Sequence, residues 1–213
     1  MTDMTSNINK YLSTEQQTTI QAAVMMAESR TSGEIVPMLV AQSDDYRETA
    51  IQTAAIMALA LALAISLALQ DTSVWFFLPI ALALYFPLLA LVHRLPLLKL
   101  ALTPATQINE TVRMRAIRAF HERGLHRTRE ENGILIFISL LERKVWILGG
   151  RGINAVIPAE RWTTLAFGLT AGIREGRMTE ALVATIGDIG GTLCQHFPRN
   201  TDDTNELPDL LGD

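Results

Sequence analysis

Residues 50–69 read AIQTAAIMALALALAISLAL, residues 70–73 read QDTS, and residues 74–92 read VWFFLPIALALYFPLLALV. The first run carries no charge, and Gln52, Thr53 and Ser66 are its only polar side chains. Its length is close to the roughly 20 apolar residues a helix needs to cross hydrocarbon. The second run is equally free of charge and holds Trp75, Tyr85, Pro79 and Pro87. The short connection between them makes the two antiparallel neighbours. A core helix of a soluble protein keeps one polar face, and neither run has one. A helix in lipid satisfies its backbone internally and needs no polar stripe. The stretch therefore predicts a transmembrane helical hairpin over 50–92, with helices at 50–69 and 74–92.

The first run begins only after about fifty polar, patterned residues, which speaks against a cleaved signal peptide. Arg47 precedes the hairpin and His93, Arg94 and Lys99 follow it, while the connecting loop has only Asp71. Lys and Arg concentrate on cytoplasmic flanks, so both soluble segments and both termini are expected in the cytoplasm. The single Cys194 forms no internal disulfide, in keeping with a reducing compartment. A net charge of −4 and the lack of a basic stripe with interleaved aromatics argue against a nucleic-acid partner.

The soluble parts, 1–49 and 93–199, read as one α+β domain that the hairpin interrupts. After polar residues 1–12, Ser13-Thr14-Glu15-Gln16 has the pattern of a capping box opening a helix to about Arg30, and Gly33 is placed to close its turn. Glu34 to Ala41 predicts a strand, in which Pro37 argues for an edge or bulged position. Leu95 to Leu102 suits either an interfacial segment or a buried short helix. Asn109 to Arg123 has helical spacing, with Arg113, Arg115 and Arg118 away from its apolar side. Asn132-Gly133 is turn chemistry, and the unbroken apolar run 134–141 that follows predicts a buried strand. Glu142-Arg143-Lys144 reads as a charged turn and Val145 to Leu148 as the returning strand. Gly149, Gly150 and Gly152 end the sheet, with positive φ as the expected reason. Pro158 opens a helix to about Arg174, Thr179 caps another, and Pro198 ends it. Residues 200–213 form an acidic tail.

Several motifs fall short of a chemistry. Gly150-Arg151-Gly152-Ile153-Asn154-Ala155 fits a loose dinucleotide pattern but follows the second arm of a hairpin, outside any βαβ crossover. Cys194 and Arg199 are separated by four residues, where a cysteine phosphatase loop has five. His121 and His126 are five apart with Gly124 between, whereas a zincin helix sets its histidines four apart. There remain acidic groups in loops: Asp44 and Asp45, Glu130 and Glu131, and Asp202, Asp203, Glu206 and Asp209. Oxygen ligands from separate loops are the donor type for Ca²⁺ or Mg²⁺.

The order of elements resembles the TPM domain family. The resemblance is carried by Thr31-Ser32-Gly33-Glu34-Ile35-Val36, by residues 128–138 (TREENGILIFI), and by residues 141–153 (LERKVWILGGRGI). The ending, with Phe197-Pro198 and Asn205-Glu206-Leu207-Pro208-Asp209, looks like a bacterial membrane-anchored branch of that family. The resemblance implies a small sheet sandwiched by helices, with the hairpin inserted in a connection that ordinary members keep soluble. It also implies a bacterial inner membrane as the location. Some TPM domains are acid phosphatases or bind divalent metals, and others are accessory proteins of membrane complexes. Acidic residues after the glycine turn belong to the family's metal pattern; between Ile153 and Glu160 only Glu160 is a carboxylate, which counts against both activities here.

The expectation is thus a non-enzymatic accessory or interaction module at the cytoplasmic face of a membrane, with lipid and another membrane protein as partners. The alternative is a divalent-metal-dependent phosphatase, for which Glu34, Asp44, Asp45, Glu130, Glu131 and Glu160 are the candidate ligands or acid–base groups.

Overall fold

The computed structural model describes residues 10–71, 73–128 and 130–199, and the backbone of 211–212. The expectations for residues 1–9 and for the acidic groups of the tail lie outside these residues. The chain divides into two compact units, one made of Met1–Ser43 with Thr111–Asp213, the other of Asp44–Glu110.

In the first unit, helix α1 (Thr14–Glu28) opens on the capping box read from the sequence. Gln16 N donates to Ser13 Oγ at 3.2 Å, and Ser13 N donates to Gln16 Oε1 at 2.9 Å. Two of the orphan amides at the helix start are thereby satisfied. Gly33 does not close the turn, since the helix already ends at Ser29 in αR geometry. A Cβ on Gly33 would stand 2.8 Å from Leu193 Cδ1, so close packing is what requires glycine there.

Strands β1 (Glu34–Val40) and β2 (Gly133–Ser139) pair in parallel from Glu34↔Gly133 to Val40↔Ser139. β2 and β3 (Lys144–Gly149) form the expected antiparallel hairpin, with Phe137 opposite Trp146. The small sheet runs β3-β2-β1, and the two-residue β4 (Leu211–Gly212) adds to β1 beside Met38 and Leu39. Pro37 makes no bulge: its register with Ile136 is regular. Ile35 N donates outward to Glu28 Oε1 at 2.8 Å, and residues two apart in a strand direct their N–H groups the same way. The donor that Pro37 lacks is thus missing from the side away from β2.

The pleat sends alternate residues to opposite faces. Ile35, Leu39, Ile134, Ile136, Ile138, Val145 and Ile147 share one buried cluster with Ile20 and Val24 of α1, and with residues of α7 (Ala159–Arg174) and α8 (Met178–His196), among them Trp162, Leu169, Ile186 and Leu193. The opposite face presents Val36, Met38, Leu135 and Phe137, also buried. A Cβ on Gly133 would stand 2.6 Å from the Leu125 carbonyl oxygen, which puts the 3-10 turn Leu125–Arg127 on this side. The preceding helix α5 (Ala105–Glu122) buries Val112, Ala116, Ala119 and Phe120. Each fully buried Ile, Leu, Val or Phe contributes about 1.5–3 kcal/mol by leaving water, so this two-faced core is the main stabilising term of the unit. α6 (Arg151–Asn154) is a single turn after β3. Pro158 is the N-cap of α7, and α8 is capped at Arg177 without help from a side chain, so Thr179 lies inside the helix.

The second unit is α2 (Arg47–Ala68), α3 (Val74–His93) and the short α4 (Pro96–Leu102). Its burial pattern is inverted relative to a water-soluble core. Ala50, Ala54, Ala58, Ala62 and Ser66, at four-residue spacing, form the buried face of α2 together with Thr49 and Thr53. Ile56, Leu59, Leu63 and Leu67 point outward, as do Leu78, Leu82 and Phe86 on α3. Small residues at this spacing let two helix backbones approach closely. At the open end of the hairpin, Lys99 Nζ donates to the Asp45 carbonyl at 2.6 Å, and the Thr49 and Thr103 hydroxyls lie 3.0 Å apart. Lys99 is buried, so the chain segments before α2 and after α3 are fastened to each other. Both prolines of α3 sit within one continuous helix.

Candidate functional site

The most polar part of the first unit lies where β1 and β2 begin and β3 ends. Glu34 pairs with Gly133, and Ile134 pairs with Gly149, so three chain segments meet at this edge of the sheet. Thr31, Ser32, Glu34, Thr128 and Asn132 are all buried there.

A tight loop, Thr128 to Asn132, leads into β2. Glu131 N donates to the Thr128 carbonyl at 2.9 Å and Asn132 N donates to Thr128 Oγ1 at 3.0 Å. The turn sets Glu131 at φ 51°, left-handed for a residue with a side chain. Asn132 Nδ2 then donates to the Ser32 carbonyl at 2.7 Å, tying the loop to the chain before β1. Ser32 Oγ donates to Glu130 Oε2 at 3.2 Å. On the other side the loop rests on the glycine turn: Gly152 N donates to the Glu131 carbonyl at 3.2 Å and Gly150 N to the Gly133 carbonyl at 2.9 Å. A Cβ on Gly150 would overlap the Glu131 carbonyl oxygen, and one on Gly152 that of Glu130. Close approach of two backbones, not positive φ, is therefore why glycine stands at 150 and 152; Gly150 has φ −62°.

Arg151 projects from this turn and grips Glu131 with a two-pronged contact, Nε to Oε2 at 2.7 Å and Nη2 to Oε1 at 2.8 Å. The guanidinium holds the Glu131 carboxyl below the usual carboxylate range, and the carboxylate pushes Arg151 up in return. Such a pair keeps both groups in their charged forms at neutral pH. Asn154 extends the turn, donating from Nδ2 to the Gly149 carbonyl at 2.7 Å and accepting from Trp162 Nε1 at 3.1 Å.

Of the six carboxylates read as candidates, Glu34, Glu130 and Glu131 belong to this edge. Glu34 is buried at the start of β1 on the face of Val36 and Met38, Glu130 is engaged by Ser32, and Glu131 by Arg151. Glu160 lies exposed in the first turn of α7. Asp44 and Asp45 belong to the second unit: Asp44 Oδ1 accepts from Tyr46 N at 2.6 Å, and Asp45 faces Arg47 at 3.6 Å. Among the described residues no three His, Cys, Asp or Glu side chains are grouped so as to hold a metal ion.

Glu142 is a site that the sequence reading missed. Read as part of a charged turn, it is buried beyond the far ends of β1 and β2. Ser139 Oγ donates to its Oε2 at 2.5 Å, Ser43 N donates to its Oε1 at 2.9 Å, and the two serine hydroxyls are 2.8 Å apart. The available signal was Ser139, a lone hydroxyl in an apolar strand, three residues before a carboxylate.

Residues 100–192, which include the Thr128–Asn132 loop and the glycine turn, match the family model of the TPM domain. Among solved structures, the chain is similar to the NMR structure of the BA42 protein from the psychrophilic bacterium Bizionia argentinensis sp. nov. The TM-score is 0.61 at 22% sequence identity, over 98% of this chain and 99% of that one. At that identity the likeness concerns the fold. A comparison with curated proteins finds no match. The matched segment supplies β2, β3, the glycine turn and most of the helical cover, so the likeness to the TPM domain rests on residues 100–192 of this chain.

Proposed function

We propose that the chain is a membrane-anchored accessory module, inserted in a bacterial inner membrane through α2 and α3, whose TPM domain acts on the cytoplasmic side by docking onto another membrane protein. The observation that carries the reading is the outward placement of the apolar side chains on both helices. Only 28% of the most apolar stretch of α2 is buried, and 6% of that of α3. A helix pair of this composition in water would expose a continuous apolar surface far larger than single exposed leucines on ordinary monomers. In hydrocarbon the same surface is solvated, and the alanine face of α2 supplies the contact between helices. Arg47 and Arg94 flank the open end, while the connecting turn carries only Asp71, which favours the flanks facing the cytoplasm.

The paired state of Glu131 and Arg151 and the engaged state of Glu130 support a recognition role over acid–base chemistry. Two measurements test the proposal. The chain should stay with membranes after carbonate washing, and a tag after Asp213 should be labelled only once cells are permeabilised. Release by carbonate, or labelling of intact cells, overturns the anchoring or the orientation. Phosphomonoester hydrolysis by the purified chain that is lost on chelation would replace the accessory role with an enzymatic one.

A further inference from the structure

α7 and α8 are joined by a three-residue turn and run antiparallel. They pack closely where Gly172 faces Ala181, with no room for a Cβ on Gly172. Away from that contact, between the turn leading into α7 and the C-terminal half of α8, lies an open groove of about 460 Å³. Val156, Pro158, Arg161, Gly187, Asp188 and Gly191 are among the residues that line it. Arg161 and Asp188 are both exposed there. Neither side chain makes an ion pair with the other or with any other described residue. The groove thus presents a cation and an anion that have no ion-pair partner among the described residues.

The glycines of α8 fall into two kinds. A Cβ on Gly190 would stand 2.7 Å from the Ala27 Cβ, so packing against α1 requires glycine at that position. A Cβ on Gly187 or Gly191 would meet nothing within 4 Å. Glycine is a poor helix former, and among the described residues nothing in the fold of one chain requires two of them on this exposed helix face. Val156, about half exposed, adds an apolar element to the rim.

We infer that this groove is a self-complementary contact between two copies of the chain, in which Arg161 of each copy meets Asp188 of the other. In a two-fold contact the same patch meets itself, so a residue pair within it is matched twice, reciprocally. A patch that holds both Arg161 and Asp188, with His196 as its other ionisable side chain, satisfies that requirement, whereas a partner of single charge would leave Arg161 or Asp188 unmatched. The bare surface at Gly187 and Gly191 lets the backbone of the second copy come close. The inference concerns the sheet-bearing unit and does not depend on the anchoring proposed above.

The test uses the full chain in mild detergent, with mass determined by light scattering over a dilution series. The parent chain should dimerise. Arg161→Asp or Asp188→Arg alone sets like charges against each other and should weaken the dimer by about tenfold or more, while the double variant carrying both should recover it. Replacing Gly187 and Gly191 together with Leu should abolish the dimer and raise the melting temperature, because leucine is the better helix former. That opposite sign separates lost association from lost folding. A parent chain that is monomeric throughout, a charge-swapped double variant no better than the single ones, or a leucine variant that dimerises like the parent would each overturn the inference.

Discussion

The two units solve opposite packing problems with the same apolar alphabet. Around the sheet, Ile35, Ile134, Ile136 and Phe137 are wholly removed from solvent, and the exposed surface is left to polar groups and a few scattered side chains. In the hairpin unit, Ala50, Ala54 and Ala62 are the inaccessible residues, and the large side chains of α2 and α3 face out, with Trp75 90% exposed. Burial is thus assigned by size in the hairpin and by hydrophobicity in the sheet unit. This is the difference expected if, as proposed above, the hairpin lies in lipid: water expels large apolar groups, whereas hydrocarbon is indifferent to them and leaves close backbone approach to decide what goes inside.

That contrast can be broken most forcefully in the sheet unit. Phe137→Ala should cost about 3–5 kcal/mol in denaturant unfolding of the solubilised chain, whereas Phe86→Ala on α3, an equal truncation, should leave the midpoint nearly unchanged. A similar loss at both positions would mean that α3 is packed as a soluble core helix is. Next in size is a charge on the outer face of the hairpin. Leu82→Arg should oppose membrane integration by about 2.5–3.5 kcal/mol, read as the fraction of chain recovered with membranes. On a water-facing helix the same change would stay within about ±0.5 kcal/mol and leave fractionation untouched. Overfilling the alanine face comes third. Ala58→Leu should destabilise the packing of α2 on α3 by about 1–3 kcal/mol in an SDS titration, and Leu59→Ala beside it should be tolerated.

The smallest effect is expected at the exposed pair that closes the polar edge. Removing the guanidinium with Arg151→Ala should lower the melting temperature slightly at neutral pH and low salt. The Glu131 carboxyl is held below its ordinary value in the folded chain. Its contribution is therefore present above the pKa of the unfolded chain and disappears as pH falls through the lowered folded value. Melting curves of parent and variant should converge toward acidic pH. A gap that widened on acidification would show that Arg151 acts on something other than Glu131.

Much of this architecture was legible in the sequence, and the reasons are local. Ser13 and Gln16 announced the start of α1 because a capping box is made by residues three apart. The unbroken run from Ile134 and the charged turn before Val145 announced the β2–β3 hairpin because both strands and their connection are contiguous. The end of α1 was placed about two residues late and the start of α5 about four late, since helix ends are settled by what packs there. The polar edge was readable in part. The signature around Glu130 and Gly150 marked it, but the overlap that forbids a side chain at Gly150 and Gly152 comes from a loop some twenty residues away. Glu142 was not readable as a buried group, because Ser43 reaches it only through the parallel pairing of β1 with β2. Pro37 was legible by half: no bulge forms, but the donor it lacks lies on the side away from β2, where among the described residues β1 is flanked only by the two-residue β4.

The fastening of the hairpin's open end bears on how the chain can fold at all. β1 pairs with β2 only after residues 41–132 have been made, and the closing of so long a connection opposes the first contact between the strands. Once Lys99 has found the Asp45 carbonyl, residues 46–98 no longer count toward that loop. Loop-closure entropy rises with the logarithm of length, and each halving of the effective loop saves about 0.6 kcal/mol. The clamp thereby turns a distant strand pairing into a nearer one, and gives the second half of the domain a reason to wait for the hairpin.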